Sequence, residues 1–192
     1  MMKLVFSTGN LNKANEIKSM LPEDTELLTL KDLDLEDDIP ETAPTLEGNA
    51  KLKAKYVVEH YNIDCFADDT GLEVYCLNNE PGVISARYAG EQKSSEDNIK
   101  LLLSRLIEKN DRRARFRTVI ALHLDGNLHT FEGIVEGKII HEKRGEKGFG
   151  YDPIFVPDGY DITFAEMSLN EKNMISHRAK AFAKMIEFLN AL

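Results

Sequence analysis

The sequence is short of three things. No apolar run approaches the roughly 18 residues that a membrane-spanning helix needs, so no membrane partner is expected. Cysteine occurs only at Cys65 and Cys76, both in strand-like runs. A disulfide framework is therefore not expected, and a reducing compartment is. Positive charge is in deficit, with 24 Lys and Arg against 33 Asp and Glu and a formal net charge of -9. Tracking a nucleic-acid backbone takes a basic stripe, so no nucleic-acid partner is expected either. An anionic ligand of such a chain should be small, neutralised by local cations and a metal. The sequence also has no P-loop pattern, no Cys/His cluster at zinc spacing and no G-x-S-x-G elbow. Internal repeats and low-complexity tracts are missing too. The opening "MMKLVFSTGN" runs straight into a strand, with an apolar run too short for a signal peptide, and cytoplasmic location is the expectation.

What remains is ordinary globular material: 192 residues, 42% hydrophobic and 30% charged. The length suits one domain, possibly of two lobes. "KLVF" (3–6) reads as a strand, "TGNLNKANEIKSML" (8–21) as a turn into a helix, and "ELLTL" (26–30) as a second strand. The acidic stretch 31–44, with Pro40 and Pro44, reads as a loop. Thr45 caps a helix whose Leu46, Ala50, Ala54, Val57 and Tyr61 recur at three- and four-residue steps. "IDCFA" and "LEVYCL" read as strands on either side of Asp68-Asp69. A loop spans 78–93, and a helix runs from Ser95 to about Asn110. "RFRTVIALHL" and "LHTFEGIVEGKII" form a hairpin around "DGN". "GEKGFGYDP" (145–153) is a loop before the strand "IFV". Ser168 and Glu171 make a capping box, and a helix with Ala179, Phe182, Ile186 and Leu189 on one face ends the chain. Strand–helix alternation followed by a long hairpin points to an α/β fold with a mixed sheet and helices on its faces.

Four polar segments interrupt this framework. "STGNLNK" (7–13) joins a strand to a helix, whose N-terminus favours phosphate, with Lys13 adding a charge. It also has the form of an ordinary cap followed by a surface lysine. Asp68-Asp69-Thr70-Gly71 puts two like charges where apolar runs meet. Neighbouring side chains in a strand face opposite ways, so the two carboxylates should do different jobs. Mg²⁺ takes one or two carboxylates with phosphate and water, which suits such a site; a solvated turn is the plainer alternative. Glu41, in "IPETAPTLEGN", matters only if folding brings it near the pair. Last, "GFGYDPIF" and "SLNEKNMISHR" offer Phe149 and Tyr151 to sandwich a planar base, Asp152 to accept from its edge, and Lys172, His177 and Arg178 as donors. The plainer alternative packs the two aromatics into the core. On one helix Lys172 and Arg178 would lie about 120° apart, so a break near Ser176 is expected.

Taken in order, "STGNLNKANE" (7–16), "FADDTGLEV" (66–74), "PGVISARYAG" (81–90), "GFGYDPIF" (148–155) and "TFAEMSLNEKNMISHR" (163–178) resemble the inosine/xanthosine triphosphate pyrophosphatase family, also called Ham1-like. The likeness covers nearly the whole chain. It implies hydrolysis of ITP, dITP and XTP to the monophosphate and pyrophosphate with Mg²⁺, by a homodimer. The implied fold is an elongated two-lobed α/β domain over residues 1–192, built around a long mixed sheet with a central nucleotide cleft. By the same resemblance Thr8, Gly9, Asn10, Leu11, Asn12 and Lys13 hold the triphosphate. Asp69 is the general base, Asp69 and Glu41 lie near the metal, and Thr70 contacts substrate. Phe149, Gly150, Tyr151, Asp152, Lys172, His177 and Arg178 form the base pocket. The chain departs from the family in having Thr70 where Ser is frequent, which keeps the hydroxyl. It also has Gly48 where a glutamate is frequent, which leaves Glu47 as an alternative to Glu41. A Maf-like pyrophosphatase for other nucleotides and a nucleotide-binding module without hydrolysis are the competing readings.

Overall fold

A computed structural model describes residues 2–21, 25–35 and 39–192. Among them the chain forms strands β1 (Met2–Phe6), β2 (Thr25–Thr29), β3 (Cys65–Val74), β4 (Glu80–Pro81), β5 (Arg113–Leu124), β6 (Asn127–Ile139) and β7 (Phe155–Pro157). The helices are α1 (Leu11–Lys18), α2 (Leu46–Tyr61), α3 (Ser95–Arg105), α4 (Leu169–Ile175) and α5 (His177–Asn190). Hydrogen-bonded neighbours run β2-β1-β3-β5-β6-β7, with β4 also paired to β3. β1 is parallel to β2 and β3, whereas β4 is antiparallel to β3 and β7 to β6, so the sheet is mixed as expected. No helix among the described residues is long and apolar enough to cross a membrane.

The chain divides into two units. The first comprises Met1–Asp69, Thr118–Gly133 and Arg178–Leu192; the second comprises Thr70–Arg117 and Ile134–His177. The boundary thus passes between Asp69 and Thr70, and again between His177 and Arg178.

In the first unit β1 pairs in register with β2 from Met2 opposite Thr25 to Phe6 opposite Thr29. Leu4, Phe6, Phe66, Ile120 and Leu122 form a core with Ala14 and Ile17 of α1 and with Ala181, Phe182 and Met185 of α5. Phe6 and Phe66 stack at 4.5 Å. Because side chains alternate along a strand, Cys65 points the other way from Phe66, and its thiol lies 3.4 Å from the Ala54 carbonyl of α2. The apolar stripe Leu46, Ala50, Ala54 and Val57 is buried, as its spacing requires. The first unit therefore packs α1 and α5 on one face of β3 and α2 on the other. Burial pushes the Cys65 thiol up to about 12, which leaves it almost wholly protonated and unreactive near neutral pH. A disulfide-exchange reagent at pH 8 is expected to titrate at most one thiol in the native protein, Cys76, and two after unfolding. Two fast-reacting native thiols would refute the placement of Cys65.

In the second unit Leu72, Val74, Phe116, Val135, Ile139, Phe155 and Phe164 pack with Ile99 and Leu102 of α3. Gly71 lies against Gly82, and a Cβ at 71 would stand 2.5 Å from the Gly82 carbonyl oxygen. Only glycine allows that approach of two backbones. The β5–β6 turn is Asp125-Gly126, both at positive φ, 48° and 77°. That is the two-residue geometry whose twist matches a hairpin.

Three expectations change. β3 is one ten-residue strand that runs through Asp68-Asp69-Thr70-Gly71, so the pair neither ends a strand nor sits in a solvated turn. Both faces of β3 are covered, which lets the strand be buried at every position except the half-buried Thr70. "YCL" is a 3-10 turn, Tyr75–Leu77, not the continuation of a strand. α1 is shorter than expected because Asn10 caps it, its side-chain oxygen accepting from the Asn12 and Lys13 N–H groups. Of the 31–44 loop, residues 36–38 lie outside the described residues, and Lys31–Leu33 forms a 3-10 turn. The break at Ser176 is present: Ser176 is extended (φ -66°, ψ 154°) between α4 and α5, and the Ser168–Glu171 capping box closes the other end of α4.

Candidate functional site

Asp68 and Asp69 are both almost fully buried, and they point to opposite faces of β3. Asp68 faces α1 and α5. Its Oδ1 accepts from Lys13 Nζ at 2.9 Å and its Oδ2 from Arg178 Nε at 3.3 Å. Arg178 also donates through Nη1 to Glu16. Burial alone would raise the Asp68 carboxyl, but the charges of Lys13, Arg178 and Lys53 outweigh it and hold Asp68 well below the usual carboxylate range. Burial likewise pulls the Lys13 ammonium below its ordinary value, with Lys53 and Arg178 adding to the effect and Asp68 opposing it.

Asp69 faces α2. Asn49 Nδ2 donates to its Oδ2 at 3.1 Å, and Lys53 Nζ stands 3.8 Å from its Oδ1. The same ammonium donates to Glu41 Oε1 at 2.6 Å. Asn49 also accepts from the Ala43 N–H at 2.8 Å, so one amide ties Asp69 to the loop that carries Glu41. Burial raises the Asp69 pKa, and the Glu41 charge adds to this, whereas Lys53, Lys13 and the Asn49 hydrogen bond oppose it. Asp69 is thus a better proton acceptor than an ordinary carboxylate, and Asp68 is a poorer one.

Glu41 and Asp69 converge on a single positive charge, the Lys53 ammonium. Their hard oxygen donors suit Mg²⁺ if phosphate and water complete its shell. No group of three or more His, Cys, Asp or Glu among the described residues could hold a metal by itself. Glu47 instead makes an exposed i,i+4 pair with Lys51 at 2.5 Å, so Glu41 is the second acid of this cluster. Gly48 leaves no free volume, since a Cβ there would stand 2.7 Å from Ala43 Cβ.

On the 8–13 segment, Thr8 Oγ1 accepts from the Asn10 N–H at 3.1 Å. The cap takes up the Asn12 and Lys13 N–H groups. Gly9, Asn10, Leu11 and Asn12 are exposed. Lys13 is the charge this segment contributes.

The second unit holds another cluster. Asp152 Oδ2 accepts from Lys172 Nζ at 2.7 Å and from the Phe149 N–H at 2.9 Å. The ammonium lies 5.0 Å from the centre of the half-buried Phe149 ring. A Cβ on Gly148, which sits at φ 72°, would come within 2.1 Å of Asp152 Oδ2, so glycine is what lets the loop close on the carboxylate. His177 stacks on Phe116 at 4.7 Å. Thr70 is half-buried in β3, and Gly150 occupies the loop at φ 60°.

Tyr151 is 4% exposed and belongs to the core, its hydroxyl donating to the Ser85 carbonyl at 2.8 Å. The aromatic sandwich of Phe149 with Tyr151 is therefore not formed. Arg178 pairs with Asp68 and Glu16, and Lys172 with Asp152. Ser85 also settles the part of "PGVISARYAG" in the fold: its hydroxyl accepts from Leu72 N–H at 2.9 Å and donates to the Gly82 carbonyl. The stretch braces β3 and the 149–152 loop.

Lys53, Asn49 and Glu16 escaped the reading of the sequence. A signal was present: Asn49 and Lys53 fall three and seven residues after Leu46, on the apolar stripe of α2, where polar side chains need partners.

The model of the Ham1 family matches residues 4–188. A "dITP/XTP pyrophosphatase" of Christiangramia forsetii is 57% identical over 189 residues, 98% of this chain and 100% of that protein. The Bacillus subtilis protein of the same name is 45% identical over 100% of this chain and 98% of its own. The solved structure of the Staphylococcus aureus Ham1 protein matches with a TM-score of 0.89 at 43% identity, covering 98% of each chain. A HAM1 protein from Coxiella burnetii matches with a TM-score of 0.91 at 34% identity, covering 100% of each.

Proposed function

This chain belongs to the Ham1 family and is a pyrophosphatase for noncanonical purine nucleoside triphosphates, and on that premise we propose that Asp69 is its general base, Lys13 and Lys53 its phosphate-facing cations, and Mg²⁺ its cofactor. The observation that carries this reading is that two adjacent buried carboxylates face opposite sides of β3 and meet different partners, Lys13 and Arg178 for Asp68, Lys53 and Asn49 for Asp69. One is locked as an anion between Lys13 and Arg178, and the other is raised beside Lys53 and Asn49.

Asp69 accepts a proton from the water that attacks the α-phosphorus, and pyrophosphate is the leaving group. Asn49 holds the carboxylate in place through its Oδ2, which leaves Oδ1 on the Lys53 side. Lys13 and Lys53 meet the negative charge of the triphosphate, with the Thr8–Asn12 loop beside Lys13. Glu41 and Asp69 would hold Mg²⁺, which would supply positive charge against the phosphates. On the base side, Lys172, Asp152 and the 149–150 loop favour a 6-oxo purine; the 6-amino group of adenine would set donor against donor. Stacking falls on Phe149 alone. The proposal extends to a homodimer in the cytoplasm.

The test is a substrate panel of ITP, dITP, XTP, GTP, dTTP and UTP with separate detection of pyrophosphate and orthophosphate, run with Mg²⁺ and with EDTA. Pyrophosphate release from ITP, dITP and XTP at least about tenfold faster than from GTP or the pyrimidines, lost in EDTA and restored by Mg²⁺, is the expected result. Preference for dTTP or UTP would favour the Maf-like reading, and orthophosphate as the first product would move the enzyme to another class.

A further inference from the structure

Tyr151 stands in the chain between the ring of Phe149 and the carboxylate of Asp152. Gly148 and Gly150, at φ 72° and 60°, flank Phe149. They allow the tight turn but add no side chain to stiffen it. Within the loop, the Asp152 carboxylate accepts from both the Phe149 N–H and Lys172 Nζ. Stacking ring, acceptor and ammonium are therefore tied to one another. At the Asp152 end the Ala165 N–H donates to the Asp152 carbonyl at 3.3 Å. On the β3 side the hold is the Tyr151 hydroxyl, which donates to the Ser85 carbonyl at 2.8 Å. Burial raises the pKa of that hydroxyl, with Tyr88 adding to the effect, so it stays a donor near neutral pH.

The acceptor is itself fixed. Ser85 belongs to the 3-10 segment Gly82–Arg87. Its own hydroxyl joins the Leu72 N–H of β3 to the Gly82 carbonyl. Just beyond it, the buried Asn98 of α3 donates to the Ala86 carbonyl at 2.9 Å and accepts from the Ala89 N–H at 2.7 Å. A carbonyl held through β3 and α3 together is a firm point, and the Tyr151 hydrogen bond carries its position to the loop. The mechanism above uses none of Tyr151, Ser85 and Asn98.

We propose that Tyr151 is a positioning residue for base recognition: its hydroxyl, on the Ser85 carbonyl, sets the 149–152 loop where a 6-oxo purine meets Phe149 and Lys172, and so adds to selection against adenine. Ser85 and Asn98 fix the acceptor. This rests on the reading that the 149–152 loop and Lys172 hold the base.

The test compares steady-state hydrolysis of ITP and ATP by wild type, Phe149→Ala, Tyr151→Phe and Ser85→Ala, each confirmed as folded by its melting transition. Phe149→Ala checks the premise. A KM for ITP raised several-fold supports it, and an unchanged KM removes the premise and the inference together. Tyr151→Phe keeps the ring and deletes only the hydroxyl. It is expected to raise the KM for ITP by about fivefold, the order of one neutral hydrogen bond, with kcat within about twofold of wild type. The ratio of kcat/KM for ITP over ATP is expected to fall by a similar factor. Ser85→Ala, which loosens the acceptor, should move KM and the ratio in the same direction by less, and it gives the answer should Tyr151→Phe fail to fold. A hydroxyl that merely stabilises the fold would lower kcat/KM for both substrates alike and leave the ratio unchanged. That result, or a KM equal to wild type in the folded variants while Phe149→Ala raises it, overturns the inference and leaves the base-pocket reading standing.

Discussion

Asp69→Asn is expected to lower kcat for ITP by about 10² to 10⁴, the range that a positioned general base supplies. An amide cannot take a proton from water, yet it keeps the size of the side chain and can still accept from Asn49. The variant should fold normally. Burial raises the Asp69 pKa above its unfolded value, so the ionised carboxylate opposes folding above that value, and a neutral isostere removes the opposition. A melting temperature unchanged or raised, together with lost pyrophosphate release, is the expected pair of results. Turnover within a few-fold of wild type would take Asp69 out of the base role.

The neighbouring substitution should do the reverse. Asp68→Asn leaves Lys13 and the buried Arg178 without the carboxylate they share. Breaking a buried ion network by removing one partner costs about 3–5 kcal/mol. In a chain of this size that corresponds to a melting temperature lower by roughly 6–20 °C. The pH dependence follows from the direction of the shift. The folded pKa of Asp68 lies below the unfolded one, so its stabilisation is complete above the unfolded value and fades as the pH falls through the folded value. The gap between wild type and Asp68→Asn should therefore be full at pH 7 and shrink below about pH 4. A gap that is small at pH 7, or constant down to pH 3, would show that Asp68 does not hold the network together. Two adjacent acids, one removable without loss of stability and one not, is a pattern that neither residue type nor spacing specifies.

Much of the fold was legible because it rests on local physics. The α2 stripe, the Thr45 and Ser168 caps, the "DGN" turn and the break at Ser176 each follow from a few consecutive residues whose conformational preferences agree. The motifs were legible for the same reason, each being a short polar interruption of an apolar framework. The continuity of β3 was not. Read locally, Asp-Asp-Thr-Gly resembles a turn, and only the cations of α1, α2 and α5 make a buried strand tolerable there.

By itself the sequence determined the class of the protein: an acidic α/β chain with no apolar run long enough for a membrane-crossing helix, carrying the ordered motifs of one nucleotide pyrophosphatase family. It also determined that Asp68 and Asp69 differ, since neighbours in a strand face opposite ways. Only the tertiary structure decided how they differ. Lys13 reaches Asp68 across 55 positions and Arg178 across 110, while Lys53 joins Glu41 to Asp69. Tyr151 went to the core for a carbonyl 66 positions away. Periodicity and capping act within a turn or two of chain, so they are written in neighbouring residues. The choice of partner for a buried charge is a competition among all cations that folding brings within a few ångströms, and only the packed structure settles it.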